Sequence, residues 1–301
     1  MDRRQDLNNP FEESSAQPDL EKKFITDAIA GDRDALEALI LQHQSWIFNI
    51  ALKMVYHRQD AEDVTQEVLI KVITKLSSFQ FKSSFRTWVY RITVNHMLNM
   101  KKRKAEQIWN SFDRYGRGID ESPDLSLPDP AELESDTDTL VEQVKLHCMN
   151  GMIMCLDRQK RIVFILGEVL KVPGKLAADL IDISYASYRQ NLSRSRKKVF
   201  QFIKQRCGLL ESQNSCHCKN KLKGLLANGE IKPQRLNYSS DCEYPINSLQ
   251  KVKAKKMSNY LDERCRELFD SHPFEFNDDF ILDLRKLISS REFKSTFQLF
   301  N

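Results

Sequence analysis

The stretch DAEDVTQEVLIKVITKL at residues 60–76 repeats apolar side chains at the three- and four-residue intervals of an α-helix. Acidic residues occupy its first turns, where the helix dipole favours negative charge. One face is apolar and consists of Ala61, Val64, Val68, Val72 and Leu76. Another face is polar and consists of Asp63, Gln66, Glu67 and Lys71. The pattern therefore predicts an amphipathic helix that lays its apolar face against a core.

Helical periodicity continues over much of the chain and predicts an all-α fold. Glycine and proline are scarce, with nine of each among 301 residues, so few positions interrupt a helix. An apolar content of 41% is enough for one or two ordinary cores, since domains commonly span about 100–200 residues. We expect two small helical domains with additional tails.

Breaks in the periodicity set the expected domain boundaries. Between residues 120 and 142 the chain has nine carboxylates and no Lys or Arg, and its prolines interrupt any helix, which predicts a linker. The preceding segment FRTWVYRITVNHMLNMKKRK at 85–104 predicts a helix that ends in four cations. The expected segments are a disordered leader at 1–20, a helical domain at 21–105, an acidic linker at 106–145, a second helical domain at 146–207 and an extension of unknown role at 208–301.

Aromatic and basic residues alternate around the start of the 85–104 helix. A protein that opens a DNA duplex needs aromatic faces for unpaired bases and cations for phosphates. The alternative is that Trp88, Val89, Ile92 and Met97 form an ordinary core stripe. The residues that the nucleic-acid hypothesis selects are Phe79, Phe81, Lys82, Arg86, Trp88, Arg91 and Asn95.

Residues 175–206 have the pattern of a helix-turn-helix. Ala177 and Ala178 let two helices approach closely, Asp182 suits a tight turn, and a serine follows that can cap the second helix. That second helix has no carboxylate, which favours DNA binding over the alternative of a solvated basic face. The expected contacts to base edges or phosphates are Tyr185, Ser187, Tyr188, Arg189, Gln190, Arg194, Arg196 and Lys197.

Several other classes of protein have little support. No stretch reaches the roughly 18–20 apolar residues of a membrane span, and we expect no membrane insertion and a cytoplasmic location. Paired catalytic carboxylates, a nucleophile elbow and a glycine-rich phosphate loop are lacking, which argues against an enzyme.

The blocks GDRDALEALI, DAEDVTQEVLIKV, FRTWVYRITVNHMLN and LIDISYASYRQNLSRSRKK together resemble regions two and four of extracytoplasmic-function RNA polymerase sigma factors. The resemblance covers about residues 24–103 and 150–207. It implies that the polar face of the 60–76 helix, with Asp63, Gln66, Glu67 and Lys71, docks on core RNA polymerase. It also implies that the aromatic–basic segment reads and opens the minus-ten element, and that the basic helix reads the minus-thirty-five element of promoter DNA.

The resemblance implies that the protein requires no cofactor, and it suggests an anti-sigma factor as a further partner. The alternative function is that of a stand-alone helix-turn-helix regulator. Such a regulator would need neither the docking helix nor the aromatic loop. A solvated polar face is likewise the alternative interpretation of the 60–76 helix.

A cysteine cluster follows the basic helix and resembles a short cysteine motif found after region four in some members. Thiolates of Cys216 and Cys218 can bind one soft cation, which predicts a structural zinc ion. A distant residue such as Cys242 could complete the ligand set, and free thiols in a tail are the alternative. The expected metal ligands are Cys207, Cys216, His217 and Cys218.

Overall fold

The computed structural model describes residues 18–122 and 137–231, together with residues 265, 266 and 269. Most of the predicted leader, the proline-rich part of the linker, Cys242 and most of the C-terminal extension lie outside the described residues. The described chain consists of helices, and its only β-type pairing is an isolated bridge between Cys207 and Cys216. An all-α fold is therefore confirmed. No helix within the described ranges is long and apolar enough to span a membrane.

The first half of the molecule consists of four helices, three of which pack on the long second one. Gly31 takes a φ of 99° after the first helix, and the Asp32 carboxylate then caps the second by accepting from the Ala35 amide at 2.9 Å. The helices are α1 (Pro18–Ile29), α2 (Arg33–Val55), α3 (Arg58–Lys75) and α4 (Phe85–Asn99). A 3₁₀ turn, Leu76–Ser78, follows α3.

The expected helix over 85–104 ends earlier than the sequence predicts. Met100 has an extended backbone, so the basic run after it lies outside the last turn of α4. Arg158 donates to the carbonyl oxygens of Met100 and Lys101, the latter at 3.0 Å. A side chain from the second half therefore holds these carbonyls in place of further helical turns.

Helices also occupy both ends of the predicted linker. α5 (Lys104–Ile108) and α6 (Phe112–Glu121) precede its proline-rich part. α7 (Thr137–Met154) begins before the expected boundary at residue 145, because its apolar side chains form a small core with Leu222.

The second half contains the helix-turn-helix. Its helices are α8 (Arg158–Phe164), which continues as a π-helical turn (Ile165–Val169), then α9 (Gly174–Leu180), α10 (Tyr185–Arg206) and α11 (Cys218–Ala227). A continuous apolar core joins both halves, with Ile47 and Val64 from the first and Ile162 and Val199 from the second fully buried. The two halves are thus packed together, and α4 lies against α8 and α9.

Candidate nucleic-acid interface

The loop between α3 and α4 carries one exposed aromatic ring. Phe81 is 44% exposed, and its backbone takes a φ of 54°, in the left-handed region. Its ring centroid lies 4.7 Å from that of Phe79, and the Lys22 ammonium lies 5.9 Å from its ring centre. Phe81 is therefore available for stacking on a base.

Phe79, in contrast, is buried beneath the loop and anchors it to α4. It is only 6% exposed, and its ring contacts Phe85 and Trp88 with centroids 5.4 and 5.3 Å away. A ring in this position cannot stack on a base, so the predicted DNA contact of Phe79 is absent from this conformation. Contacts with Phe85 and Trp88 explain why Phe79 is not available to DNA, because they bury its ring in the aromatic cluster.

α4 divides its residues between the core and the surface. Ser84 caps the helix by accepting from the Thr87 amide at 3.1 Å. Arg91 and Asn95 are exposed one turn apart, and Lys82 is exposed in the loop. The remaining selected residues, Arg86 and Trp88, are half-buried. Both sequence interpretations therefore apply to this helix, since Val89 and Met97 are core residues while Arg91 and Asn95 face solvent.

The polar face of α3 is partly occupied by contacts within the chain. Lys71 Nζ donates to Nδ1 of the buried His96 at 2.6 Å. Glu67 Oε2 lies 3.1 Å from His96 Nε2 without the alignment of a full hydrogen bond, and Arg103 lies 3.4 Å from the other oxygen of Glu67. Asp63 is exposed and Gln66 half-buried, so these two lie on the more accessible part of the predicted docking face.

His96 is held as the neutral imidazole at the α3–α4 junction. An ammonium group only donates, so Nδ1 of His96 must be the acceptor for Lys71. Burial, followed by the Lys71 charge, lowers the pKa of His96 below its usual value, although Glu67 acts in the opposite direction. Glu67 and Lys71 therefore position α4 in addition to any role on the surface.

The helix-turn-helix has the predicted turn. Ala177 and Ala178 are buried, which lets α9 approach α10. Asp182 takes a φ of 53°, a conformation that aspartate tolerates better than most residues. Ser184 then caps α10 by accepting from the Ser187 amide at 3.2 Å.

The exposed N-terminal end of α10 carries most of the predicted contacts. Tyr185 is 44% exposed, and the Arg189 guanidinium lies 5.8 Å from its ring centre. Ser187 is half-buried, being the residue whose amide is capped. The other exposed residues of the predicted set are Gln190, Arg194 and Lys197.

Two residues of that set have structural roles. Tyr188 is 2% exposed, and burial raises the pKa of its hydroxyl to about 12. It packs against Gly167, where a β-carbon would lie 2.7 Å from the Tyr188 oxygen. Arg196 is ion-paired with the buried Glu168. Tyr188, predicted to contact a base, is therefore buried in this conformation, and the side chain of Arg196 is held by a carboxylate.

A cleft of about 630 Å³ lies between α4 and the segment formed by α9 and the turn before α10. Arg91 and Asn95 of α4 line one side. Asp179, Asp182 and Ser184, from α9 and the turn, line the other.

A buried ion-pair network holds the halves together. Glu106 of α5 accepts from Arg158 at 2.6 and 2.8 Å and from Arg161 at 3.0 Å. Arg161 also donates to the carbonyl oxygen of Met54, at the end of α2, and to those of Met154 and Leu156 at 3.0 Å. Burial alone would raise the pKa of Glu106, but the hydrogen bonds from Arg158 and the Arg103 amide, with the two guanidinium charges, lower it.

Sequence reasoning missed this network. Glu106 and Arg161 are 55 positions apart, and each lies in a short segment that carries other charges. No local periodicity signals that these particular side chains are buried. Only the packing of α5 against α8 identifies them.

The cysteines after α10 lie near a fourth thiol from α7. Cys207, Cys216 and Cys218 line a small cavity together with Cys148. His217, expected as a ligand, is exposed and does not line this cavity. No group of three or more His, Cys, Asp or Glu side chains among the described residues is already placed to hold a metal ion.

Comparison with known proteins relates parts of this chain to RNA polymerase sigma factors. Residues 39–107 match the family model of sigma-70 region 2. The RNA polymerase sigma-H factor of Pseudomonas aeruginosa is 26% identical over 184 residues, which cover 60% of this chain and 91% of that protein. The RNA polymerase sigma factor YlaC of Bacillus subtilis is 25% identical, over 56% of this chain and 91% of its own length.

Further matches extend the comparison. The ECF RNA polymerase sigma factor SigW of Bacillus subtilis is 24% identical, over 50% of this chain and 86% of its own length. Among solved structures, CnrH in complex with the cytosolic domain of CnrY matches with 18% identity and a TM-score of 0.44, covering 61% of this chain and 97% of that one. The family model thus identifies residues 39–107 as sigma-70 region 2, and the sigma-factor relatives support an extracytoplasmic-function sigma factor of RNA polymerase.

Proposed function

We propose that this sigma factor docks on core RNA polymerase through α3, opens the minus-ten element with the α3–α4 loop and α4, and reads the minus-thirty-five element with the N-terminal end of α10. The polymerase supplies the catalytic chemistry, and this chain supplies recognition and strand opening without a reaction of its own. Its place of action is then the cytoplasm, where polymerase and promoter DNA meet.

The exposed ring of Phe81 on its buried aromatic support is the observation that carries this proposal. Stacking on an aromatic ring contributes about 1–3 kcal/mol per base and replaces part of what a base loses when it leaves the duplex. Arg91 and Asn95 lie further along α4, where a cation and an amide can follow the displaced strand. An ordinary helical hairpin has no need of an exposed phenylalanine in a left-handed backbone.

Docking on the polymerase rests on the exposed part of the α3 face. Asp63 is the best candidate for direct contact, with Gln66 beside it. Glu67 and Lys71 act from the same face by holding His96 and thereby α4. A change at Glu67 would therefore affect both docking and the orientation of α4, whereas a change at Asp63 tests docking alone.

Recognition of the minus-thirty-five element rests on a division of roles along α10. Arg189 and Gln190 lie within the first two turns, where side chains of a recognition helix reach base edges in the major groove. Arg194 and Lys197 lie further along and are suited to phosphates. Both sets are exposed, so a duplex can reach them.

Promoter binding then requires the two halves to separate. Elements named for positions minus ten and minus thirty-five lie about 25 base pairs apart, roughly 85 Å along B-form DNA. In the structure α4 packs against α9, so one rigid molecule cannot reach both elements. Separation breaks the contacts that Glu106 makes with Arg158 and Arg161.

Run-off transcription with purified core polymerase tests the proposal with two variants. Asp63→Lys should abolish holoenzyme formation and transcription from every template. Phe81→Ala should assemble normally and fail on duplex promoters, yet recover on a template with a pre-opened bubble, because that template removes the unpairing cost of a few kcal/mol. Asp113→Lys, at an exposed position of α6, is the matched charge control.

The outcomes also separate this function from a stand-alone helix-turn-helix regulator. Normal assembly of Asp63→Lys would overturn the docking assignment. Normal transcription of duplex DNA by Phe81→Ala would overturn the opening role of the loop. Tight, sequence-specific binding to duplex DNA without polymerase, unaffected by either change, would favour the regulator.

A further inference from the structure

A small cavity of about 40 Å³ lies where α7 meets the C-terminal end of α10 and the segment that follows it. Four thiols line it, although they come from separate parts of the sequence. Three of them belong to the cysteine motif recognised in the sequence, and the fourth lies some 60 residues earlier on α7. They are Cys148, Cys207, Cys216 and Cys218.

Backbone hydrogen bonds hold the three motif cysteines in place. α10 ends at Arg206, and the chain after Cys207 loops round so that Cys216 pairs with Cys207 in a parallel bridge. The Gly208 amide donates to the Cys216 carbonyl at 2.9 Å, and the Asn214 side chain donates to the Cys207 carbonyl at 3.1 Å. Cys218 begins α11. The turn is therefore a defined structure before any ligand is considered.

Packing of α11 on α7 brings Cys148 to the motif. Leu222 of α11 is fully buried against Leu140 and Val144 of α7. Lys221 also donates to the carbonyl of Ile119 at 3.1 Å, which ties α11 to α6. These contacts form without the thiols, so the convergence of the four cysteines follows from the fold.

His217 does not line the cavity that the four thiols share. Its ring lies beside Gly208, where an added β-carbon would be 2.6 Å from Nδ1. The side chain is exposed, and it is absent from the lining of the cavity. The local site is thus made of sulfur alone, a donor set that suits soft ions such as Zn²⁺.

We propose that Cys148, Cys207, Cys216 and Cys218 bind one soft divalent ion of the zinc class and so fasten the segment after the helix-turn-helix to α7. The site replaces His217 of the predicted ligand set by Cys148. Binding requires the thiols to rotate towards the shared cavity, since they do not yet form a ligand shell. The proposal is independent of the promoter function.

The charges around the cavity fit an ion of this class. Thiols are deprotonated when they bind a divalent ion, so binding releases protons to solvent. Four thiolates around a divalent ion leave two negative charges, and the cationic side chains of Lys145 and Arg206, which are ion-paired with Glu142 and Asp120, also line the cavity.

Metal content and ligand type test the site in the full-length protein. One equivalent of Zn²⁺ per chain should be retained after dialysis, measured by inductively coupled plasma mass spectrometry. With Co²⁺ in its place, the protein should show sulfur-to-cobalt charge-transfer bands and the visible spectrum of a tetrahedral all-sulfur site. Cys148→Ser should weaken affinity by at least about tenfold to 100-fold, since even outer-shell changes cost that much.

Two controls make the result decisive. Cys155→Ser changes a buried thiol outside the cavity, and His217→Ala changes the ligand predicted from sequence, so both should retain affinity and spectrum. Circular dichroism of Cys148→Ser should match the parent protein. Loss of metal in His217→Ala with retention in Cys148→Ser would overturn the proposal. So would a protein that binds no Zn²⁺ or Co²⁺ under reducing conditions, or one whose intact mass shows these cysteines joined as disulfides.

Discussion

α4 and α10 present two candidate DNA surfaces that are built in the same way. Each helix begins with a serine cap, Ser84 in α4 and Ser184 in α10. Each cap follows a turn that contains one non-glycine residue in the left-handed region, with φ of 54° at Phe81 and 53° at Asp182. A capped helix after a tight turn holds the first helical side chains in a fixed direction, which is what contact with bases requires.

Each surface also pairs an exposed ring with a buried one. Phe81 and Tyr185 are both 44% exposed, whereas Phe79 and Tyr188 are 6% and 2% exposed. The buried ring anchors the turn in the core, and the exposed ring is left for a ligand. Sequence reasoning selected all four rings as contacts, because composition does not distinguish an anchor from a contact.

The two surfaces differ in where the backbone strain lies. In the α3–α4 loop the exposed Phe81 itself has the left-handed backbone, at a cost of about 1–2 kcal/mol for a residue with a β-carbon. In the helix-turn-helix Asp182 takes that conformation, and Tyr185 lies within the unstrained helix. The orientation of Phe81 therefore depends on its aromatic support, whereas that of Tyr185 depends on the helix cap.

Removing the anchor should have the largest effect and should separate the two rings of the loop. Phe79→Ala should lower the free energy of unfolding by about 3–5 kcal/mol, because it opens a cavity beneath Phe85 and Trp88. Phe81→Ala should change it by less than about 1 kcal/mol, as its ring is largely exposed. Urea denaturation followed by circular dichroism measures both. Similar losses for the two variants would contradict the division into anchor and contact.

Breaking the ion-pair network that links the two halves should give the next-largest loss of stability. Glu106→Gln should lower the free energy of unfolding at pH 7 by about 3 kcal/mol, because it leaves the buried Arg161 without its carboxylate. Thermal and chemical denaturation measure the change, and Glu121→Gln at an exposed position is the matched control.

The pH dependence of stability sharpens this test. Because the folded protein lowers the pKa of Glu106 below 4.5, the stabilisation is present above that pH and is lost as pH falls through the lowered value. Glu106→Gln should therefore lose less stability than the parent protein below pH 4.5. Parallel acid profiles for the two proteins would show that the network does not contribute.

The shared serine caps should give equal, smaller effects. Ser84→Ala and Ser184→Ala should each cost about 1 kcal/mol, because each leaves a backbone amide of the first turn without its acceptor. Ser193→Ala, at an exposed position inside α10, should be neutral or slightly stabilising, since alanine favours a helix. A clear difference between the two losses of stability in urea denaturation would show that the two helix caps are not equivalent.

The smallest expected effect concerns the turn before α10. Asp182→Gly should change stability by no more than about 0.5 kcal/mol, with a gain favoured, because glycine adopts a positive φ without steric cost while aspartate tolerates it. Asp182→Val should be clearly destabilising at the same position. Equal stability of Asp182→Gly and Asp182→Val would show that the left-handed conformation is not maintained in solution.

Local patterns in the sequence are enough to predict the helices, the helix-turn-helix and the exposed basic residues of α10. Amphipathic periodicity is local, so it locates α3 and α10 and the small residues of α9 without knowledge of their neighbours. Charge is also readable locally, because residues such as Arg189 and Arg194 are rarely buried without a partner. Composition predicts an acidic linker over residues 106–145, and helices occupy both described ends of that segment.

Tertiary packing sets which of these residues are accessible and which distant residues come into contact. Burial of Phe79 and Tyr188, the pairing of Arg196 with Glu168 and the contact of Glu106 with Arg161 depend on how helices pack across long sequence separations. Cys148 reaches the cysteine motif for the same reason, because α11 packs on α7. A local pattern records the face that a side chain occupies on its own helix, whereas the partner on that face is set by the whole fold.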